Sequence, residues 1–228
     1  MKFTCLLFLF TLFLKAGVNA GVERLAKAAR TGDIKTAENL LENGINPNLP
    51  DRYGKTPLYY AASFNETQVV ELLLASHADP NAKAMERETD FPATSLQSAA
   101  SMGNLHMASL LIGAGARVNM AGLTGRTALH FAVIGTHLDM IGYLLEKGAD
   151  LSTRDAEGTS PLDDAVWRGE INAAAILLAH GARLNEAEPK TGATPINEAA
   201  SGATPGSFNI CFPSIRISTF TTKKATAR

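Results

Sequence analysis

The sequence predicts an all-α solenoid, a stack of helix–turn–helix units joined by extended finger loops. Three observations carry that prediction. The pattern Thr56-Pro57-Leu58-Tyr59-Tyr60-Ala61-Ala62 recurs at Thr94–Ala100, Thr127–Val133, Ser160–Val166 and Thr194–Ala200. A weaker copy stands at Glu23–Ala29, and the successive steps are 33, 38, 33, 33 and 34 residues. A second series, Asn48, Asn81, Asn119, Ser152 and Asn185, keeps the same phase. Eight residues before each of these lies an apolar pair: Leu40-Leu41, Leu73-Leu74, Leu111-Ile112, Leu144-Leu145 and Leu177-Leu178. Markers that share one register at a period near 33 residues define a repeat architecture, in which stacking buries what a single unit leaves exposed.

Each element of the unit has a local cause. Thr or Ser opens the first helix, because its hydroxyl accepts from a free backbone N–H of the first turn. Proline at the next place lacks a donor that this turn does not use. The Leu-x-x-Ala-Ala segment makes a short, slim helix that neighbours can approach closely. Gly32, Gly103 and Gly169 mark a sharp turn. A second helix follows with apolar residues at helical spacing, as in Gln68–Ala75. It ends at Gly44, Gly115, Gly148 or Gly181, where a left-handed C-cap favours glycine. Asn65 and Thr136 stand where the inter-helix glycine belongs; Asn enters left-handed space readily, and Gly135 is expected to relieve Thr136. His77 replaces the C-cap glycine of the second repeat.

The ends and the charge are read separately. Met1–Ala20 has an early Lys2, an apolar stretch Phe3–Leu14 and the ending Val18-Asn19-Ala20. This is the pattern of a secretory signal peptide cut after Ala20. The rival, a retained membrane anchor, has an apolar core of about 12 residues where a span needs about 20. Whole, the chain has 228 residues and a formal charge of −1; residues 21–202 alone hold 15 basic and 22 acidic residues, a net of −7. A net-acidic body does not favour nucleic acid. Two cysteines, Cys5 and Cys211, exclude a disulfide-dense scaffold. The 38-residue step places five extra residues in Ala82–Ala93, and the sixth repeat breaks at Gly202, Pro205 and Gly206. The basic stretch 203–228 is either an irregular tail, an extended strand or a truncated reading of a longer array.

The sequence resembles the ankyrin repeat family. The motif D-x-x-G-x-T-P-L-x-x-A-A is carried by Asp51-Arg52-Tyr53-Gly54-Lys55-Thr56-Pro57-Leu58. L-L-x-x-G-A-D is carried by Leu144-Leu145-Glu146-Lys147-Gly148-Ala149-Asp150. The resulting organisation is a signal peptide at 1–20 and an ankyrin domain at 21–202. Its repeats fall near 22–50, 51–83, 84–121, 122–154 and 155–187, with a partial one at 188–202, before the tail at 203–228.

No residue set points to chemistry. His77, His106, His130, His137 and His180 lack metal-ligand spacing, and His130 is expected to be a scaffold residue in the turn network. Asp163-Asp164 reads as a solvated acidic face. No nucleophile elbow or phosphate loop is present. The expectation is a non-enzyme without cofactor or metal.

What the resemblance implies is a concave surface that docks a partner protein. Contacts come from the loop tips and from the two places after each Ala-Ala. Carried over place by place, the tips give Arg52, Tyr53 and Lys55, then Leu123 and Arg126, then Arg154 and Glu157. The helix places give Phe64, Met102, Ile134, Trp167 and Arg168. Trp, Tyr and Arg dominate binding hot spots; the competing reading is local packing under adjacent loops. The expected function is non-catalytic protein binding by a monomer, periplasmic or secreted, with no membrane insertion after cleavage. The runner-up is an accessory that regulates, protects or inhibits an exported enzyme. A third reading is an enzyme or small-ligand carrier.

Overall fold

The computed structural model describes residues 20–84, 93–183 and 192. The leader, most of the Ala82–Ala93 insertion, the sixth repeat and the tail with Cys211 lie outside the described residues. Within them are ten helices and no strand. The first, α1, occupies 20–31. It is followed by α2 (Ile34–Glu42), α3 (Pro57–Ser63), α4 (Thr67–Ala75), α5 (Ser95–Ser101) and α6 (Leu105–Gly113). Then come α7 (Ala128–Ile134), α8 (Leu138–Glu146), α9 (Pro161–Arg168) and α10 (Ile171–Ala179). Odd-numbered helices form an inner row and even-numbered ones an outer row: α3 packs on α5, α5 on α7 and α7 on α9, while α8 packs on α10.

The short inner helices start where the sequence places them. Thr56 Oγ1 accepts from Tyr59 N at 3.3 Å, Thr94 Oγ1 from Gln97 N at 3.2 Å, and Ser160 Oγ from Asp163 N at 3.2 Å. One continuous core runs through the stack from Leu25 through Leu58, Leu96 and Leu129 to Leu162, all 2% exposed or less. The alanines of the Ala-Ala pairs, such as Ala61, Ala62, Ala99 and Ala100, are fully buried between inner helices.

Left-handed residues sit at the turns: Gly32, Gly103 and Gly169 between paired helices, and Asn65, His77 and Thr136 with φ of 61°, 63° and 57°. Gly135 does not relieve Thr136 as expected. Its own φ is −79°, and Thr136 itself takes the left-handed conformation. Gly135 is needed for space: a Cβ there would stand 2.6 Å from His137 Cδ2. That ring is held by a 2.9 Å contact from Nε2 to the Ser101 carbonyl, which joins repeats 3 and 4.

The Asn series has a structural cause. Asn48 Nδ2 donates to the His77 carbonyl at 3.0 Å and its Oδ1 accepts from Asp79 N at 2.6 Å. Asn81 makes the same pair with Gly115 and Arg117, at 3.0 and 2.8 Å, and Asn119 with Gly148 and Asp150, at 3.0 and 2.8 Å. Each asparagine therefore staples one repeat to the next along the outer edge. Ser152 is too short to continue the line; its hydroxyl donates to Asp150 Oδ1 in its own loop at 2.7 Å.

Among the described residues the junction between repeats 4 and 5 thus lacks an asparagine staple. Ser152→Asn, restoring donors and acceptors toward Gly181 and Arg183, should stabilise α10 by about 1–2 kcal/mol. Hydrogen exchange across Ile171–Ala179 measures it; unchanged protection would mean that the loop cannot present an asparagine there.

Candidate functional site

The tips are shaped by aspartates that fold the loop on itself. Asp51 Oδ1 accepts from Tyr53 N at 2.9 Å and Lys55 N at 3.0 Å, while Oδ2 takes the Tyr60 hydroxyl at 2.8 Å. Burial, and then the Asp51 carboxylate, hold the Tyr60 phenol well above its ordinary range. Asp155 repeats the device, accepting from Glu157 N at 3.0 Å and Thr159 N at 2.9 Å. Repeat 4 has Gly122 at that place, and Arg126 reaches across to the next tip, with Nε 3.2 Å from Asp155 Oδ2.

This pairing corrects part of the sequence reading. Arg126 and Arg154 are not free tip residues. Their side chains are only 19% and 16% exposed; Arg154 Nη1 lies 3.0 Å from Asp163 Oδ2 and also donates to the Gly158 carbonyl at 2.8 Å. The expected solvated face at Asp163-Asp164 is likewise absent. Both aspartates are buried, Asp163 because it closes the Ser160 capping box and receives Arg154. Asp164 Oδ2 meets no donor among the described residues. Burial, little offset by Arg126, pushes its carboxyl up to about 6.

The third place after each Thr or Ser forms an inner line of staples that the sequence reading did not single out. Gln97 Nε2 donates to the Met120 and Arg126 carbonyls at 2.8 and 3.1 Å. His130, fully buried, bonds the Thr127 N–H through Nδ1 at 3.2 Å and meets the Thr159 carbonyl through Nε2 at 3.1 Å. The carbonyl requires a proton on Nε2, which leaves Nδ1 as acceptor. Burial lowers the pKa of this imidazole to about 4. His130 is the scaffold residue expected. The readable signal was the shared register of Tyr59, Gln97, His130 and Asp163.

The helix-place residues lie on the inner face in two columns. The seventh place after each Thr or Ser holds Ser63, Ser101, Ile134 and Trp167; the eighth holds Phe64, Met102, Gly135 and Arg168. Trp167 is 65% exposed, Phe64 54% and Met102 41%, whereas Ile134 is half-buried. On the tips, Leu123 is 79% and Tyr53 50% exposed. Arg52 stacks over Tyr53, Cζ 4.8 Å from the ring centroid, and Lys55 lies over Tyr59 at 4.9 Å. Glu157 and Arg168 are exposed at their tip and helix places.

Paired helices with a shared core, stapled tips and an uncovered inner face define a helical repeat scaffold of the protein-interaction class. The family model described as Ankyrin repeats (3 copies) matches residues 4–84 and 96–188, and the chain belongs to the ankyrin repeat family. It is similar to the chicken nuclear factor NF-kappa-B p105 subunit, 34% identical over 157 residues, which are 68% of this chain and 16% of that protein. Another relative is the potassium channel AKT1 of Arabidopsis thaliana, 32% identical over 67% of this chain and 21% of the channel. A third is the putative ankyrin repeat protein FPV031 of fowlpox virus, 33% identical over 71% of this chain and 48% of that protein. The chain therefore spans less than half the length of each. Ankyrin repeats are generally protein–protein interaction modules of a typically non-catalytic fold. Among the described residues no helix is long and apolar enough to cross a membrane.

Proposed function

We propose that this chain is a non-catalytic binding protein that docks a partner protein on its concave inner face after export. The observation that supports the reading best is Trp167. It is the chain's only tryptophan, and it stands 65% exposed on an inner helix in which every residue before it is buried. Large rings left uncovered at such places are the side chains that dominate binding energy once desolvated. Capture of the partner from the native compartment, compared between wild type and Trp167→Ala, tests this. Binding should weaken by roughly 2 kcal/mol or more, while folding stability changes by about 0.5 kcal/mol or less. A variant that unfolds several kcal/mol more easily yet binds normally when folded would make Trp167 a packing residue. An accessory of an exported enzyme is one form of the same activity, and an enzyme among the captured partners would identify it.

Export is supported by the charge and apolar pattern of Met1–Ala20. Protein isolated from its native host should begin at Gly21 or within a few residues of it. N-terminal sequencing that returns Met1 would overturn this.

A further inference from the structure

The first two repeats bring several cations to one end of the inner face. The first member of the Trp167 column is Arg30, and the first member of the Asp164 column is Lys27. Both are exposed on α1, one turn apart, and no carboxylate among the described residues pairs with either. Arg30 is close enough to Tyr60 on α3 for its charge to act on that phenol. Lys55 Nζ lies 6.0 Å from the same ring and Arg52 stacks on Tyr53. The neighbouring acids are already engaged: Glu23 Oε1 accepts from Arg52 N at 2.8 Å, and both Asp51 oxygens are bonded. A body of net charge −7 therefore places exposed Lys27, Arg30 and Arg52 and half-buried Lys55 at one end of its groove, beside the exposed rings of Tyr53 and Phe64; of these, Arg52 has a 3.8 Å surface pair with Glu23.

We propose that this end of the groove, formed by Lys27, Arg30, Arg52 and Lys55, receives an extended acidic segment of the partner protein. The proposal rests on the concave-docking reading and names the partner's chemistry. Charge complementarity of this kind sets register and orientation. From the Arg30 place to Trp167 the groove crosses four inner-helix steps of about 8–10 Å each, which an extended segment of roughly ten residues spans. The segment thus places its acids against repeats 1 and 2, and an apolar side chain about ten residues along meets Trp167. A nucleic acid fits less well: the track offers Arg168 at its far end, but it also passes exposed Glu157, and the body as a whole is net acidic, which repels a polyanion.

The test uses the full chain and a fluorescein-labelled peptide of about twelve glutamates, long enough to cover the basic end. An equally long lysine peptide and an oligothymidine serve as comparison probes, with anisotropy as the readout. The glutamate peptide should bind more tightly than either, and salt should weaken it. Lys27→Glu with Arg30→Glu should raise its Kd by roughly tenfold or more. Lys35→Glu with Lys147→Glu, the same charge change on the outer row, should leave it within about twofold. Far-UV circular dichroism shows that both variants stay folded. Absence of glutamate-peptide binding, equal loss in the outer-row variant, or tighter binding of oligothymidine overturns the proposal. If the native partner is lost with Trp167→Ala but unchanged by the α1 charge reversal, the acidic-segment proposal falls while concave docking stands.

Discussion

Leucine in place of Asp164 should stabilise the array at pH 7 by about 3 kcal/mol, with the gain shrinking toward nothing near pH 4. The Asp164 carboxyl is buried and its Oδ2 lacks a donor among the described residues. Its folded pKa is pushed up to about 6 from 3.8, chiefly by burial. The stability it contributes is whole below the unfolded value and is lost as pH rises through the folded one. An apolar residue suits the place, since Phe131 holds the equivalent position in the preceding repeat and is itself buried. His130, whose ring bonds the Thr159 carbonyl across the same inter-repeat junction, works in the opposite sense. Its pKa falls from 6.5 to about 4, by burial. The folded state therefore loses stability as pH drops from the unfolded value toward the folded one. In the wild type the two slopes oppose each other between about pH 4 and 6, and the junction shows little net dependence. His130→Gln removes only the second slope. Glutamine fits there because Gln97 makes the matching bonds one repeat earlier. Urea titrations of both variants at several pH values, followed by Trp167 fluorescence, check the pair. Parallel pH profiles for wild type and Asp164→Leu would show that Asp164 is hydrated in solution.

The second large effect is expected at Asp155. Alanine there removes the carboxylate facing Arg126 and the acceptor of two backbone N–H groups. Removing one partner of a largely buried ion pair costs about 3–5 kcal/mol, and the loss should concentrate in repeats 4 and 5. Asparagine keeps an acceptor oxygen and should cost less, about 1–2 kcal/mol. Equal losses for the two variants would mean that charge contributes nothing to this tip. Differential hydrogen exchange of α7 and α9 separates the cases.

These effects sit at residues whose roles the sequence hid, for a physical reason. Capping threonines, inter-helix glycines and Leu-Leu pairs act within one repeat, so their spacing alone reveals them. Arg126 acts on Asp155, one repeat away, a contact that no spacing within its own repeat encodes. Adjacent charges such as Asp163 and Asp164 read as solvent-facing when hydration is taken as the default for carboxylates. The Ser160 capping box and Arg154 reverse that for Asp163, and the packing of α9 against its neighbours reverses it for Asp164. The binding places fared unevenly for the same cause. Trp167, Phe64, Tyr53 and Leu123 stay largely exposed, Tyr53 even with Arg52 stacked on its ring. Ile134 is half-covered, and the two arginines are drawn inward by neighbours.

The missing outer staple has a mechanical meaning. Repeats 1 to 4 are sewn to one another along the outer edge by asparagine, whereas repeat 5 has the apolar packing of α10 on α8 there and takes its side-chain polar links to repeat 4 through His130 and Arg126. Under tension such a seam tears from its single-stitched end. Among the described repeats, a chain pulled from its C-terminal side would therefore yield at this boundary first. Freeing one 33-residue unit would release on the order of 100 Å of contour. The rest of the array, including the basic end of the groove, would stay zipped, so a partner gripping repeats 1 to 4 would feel the load last.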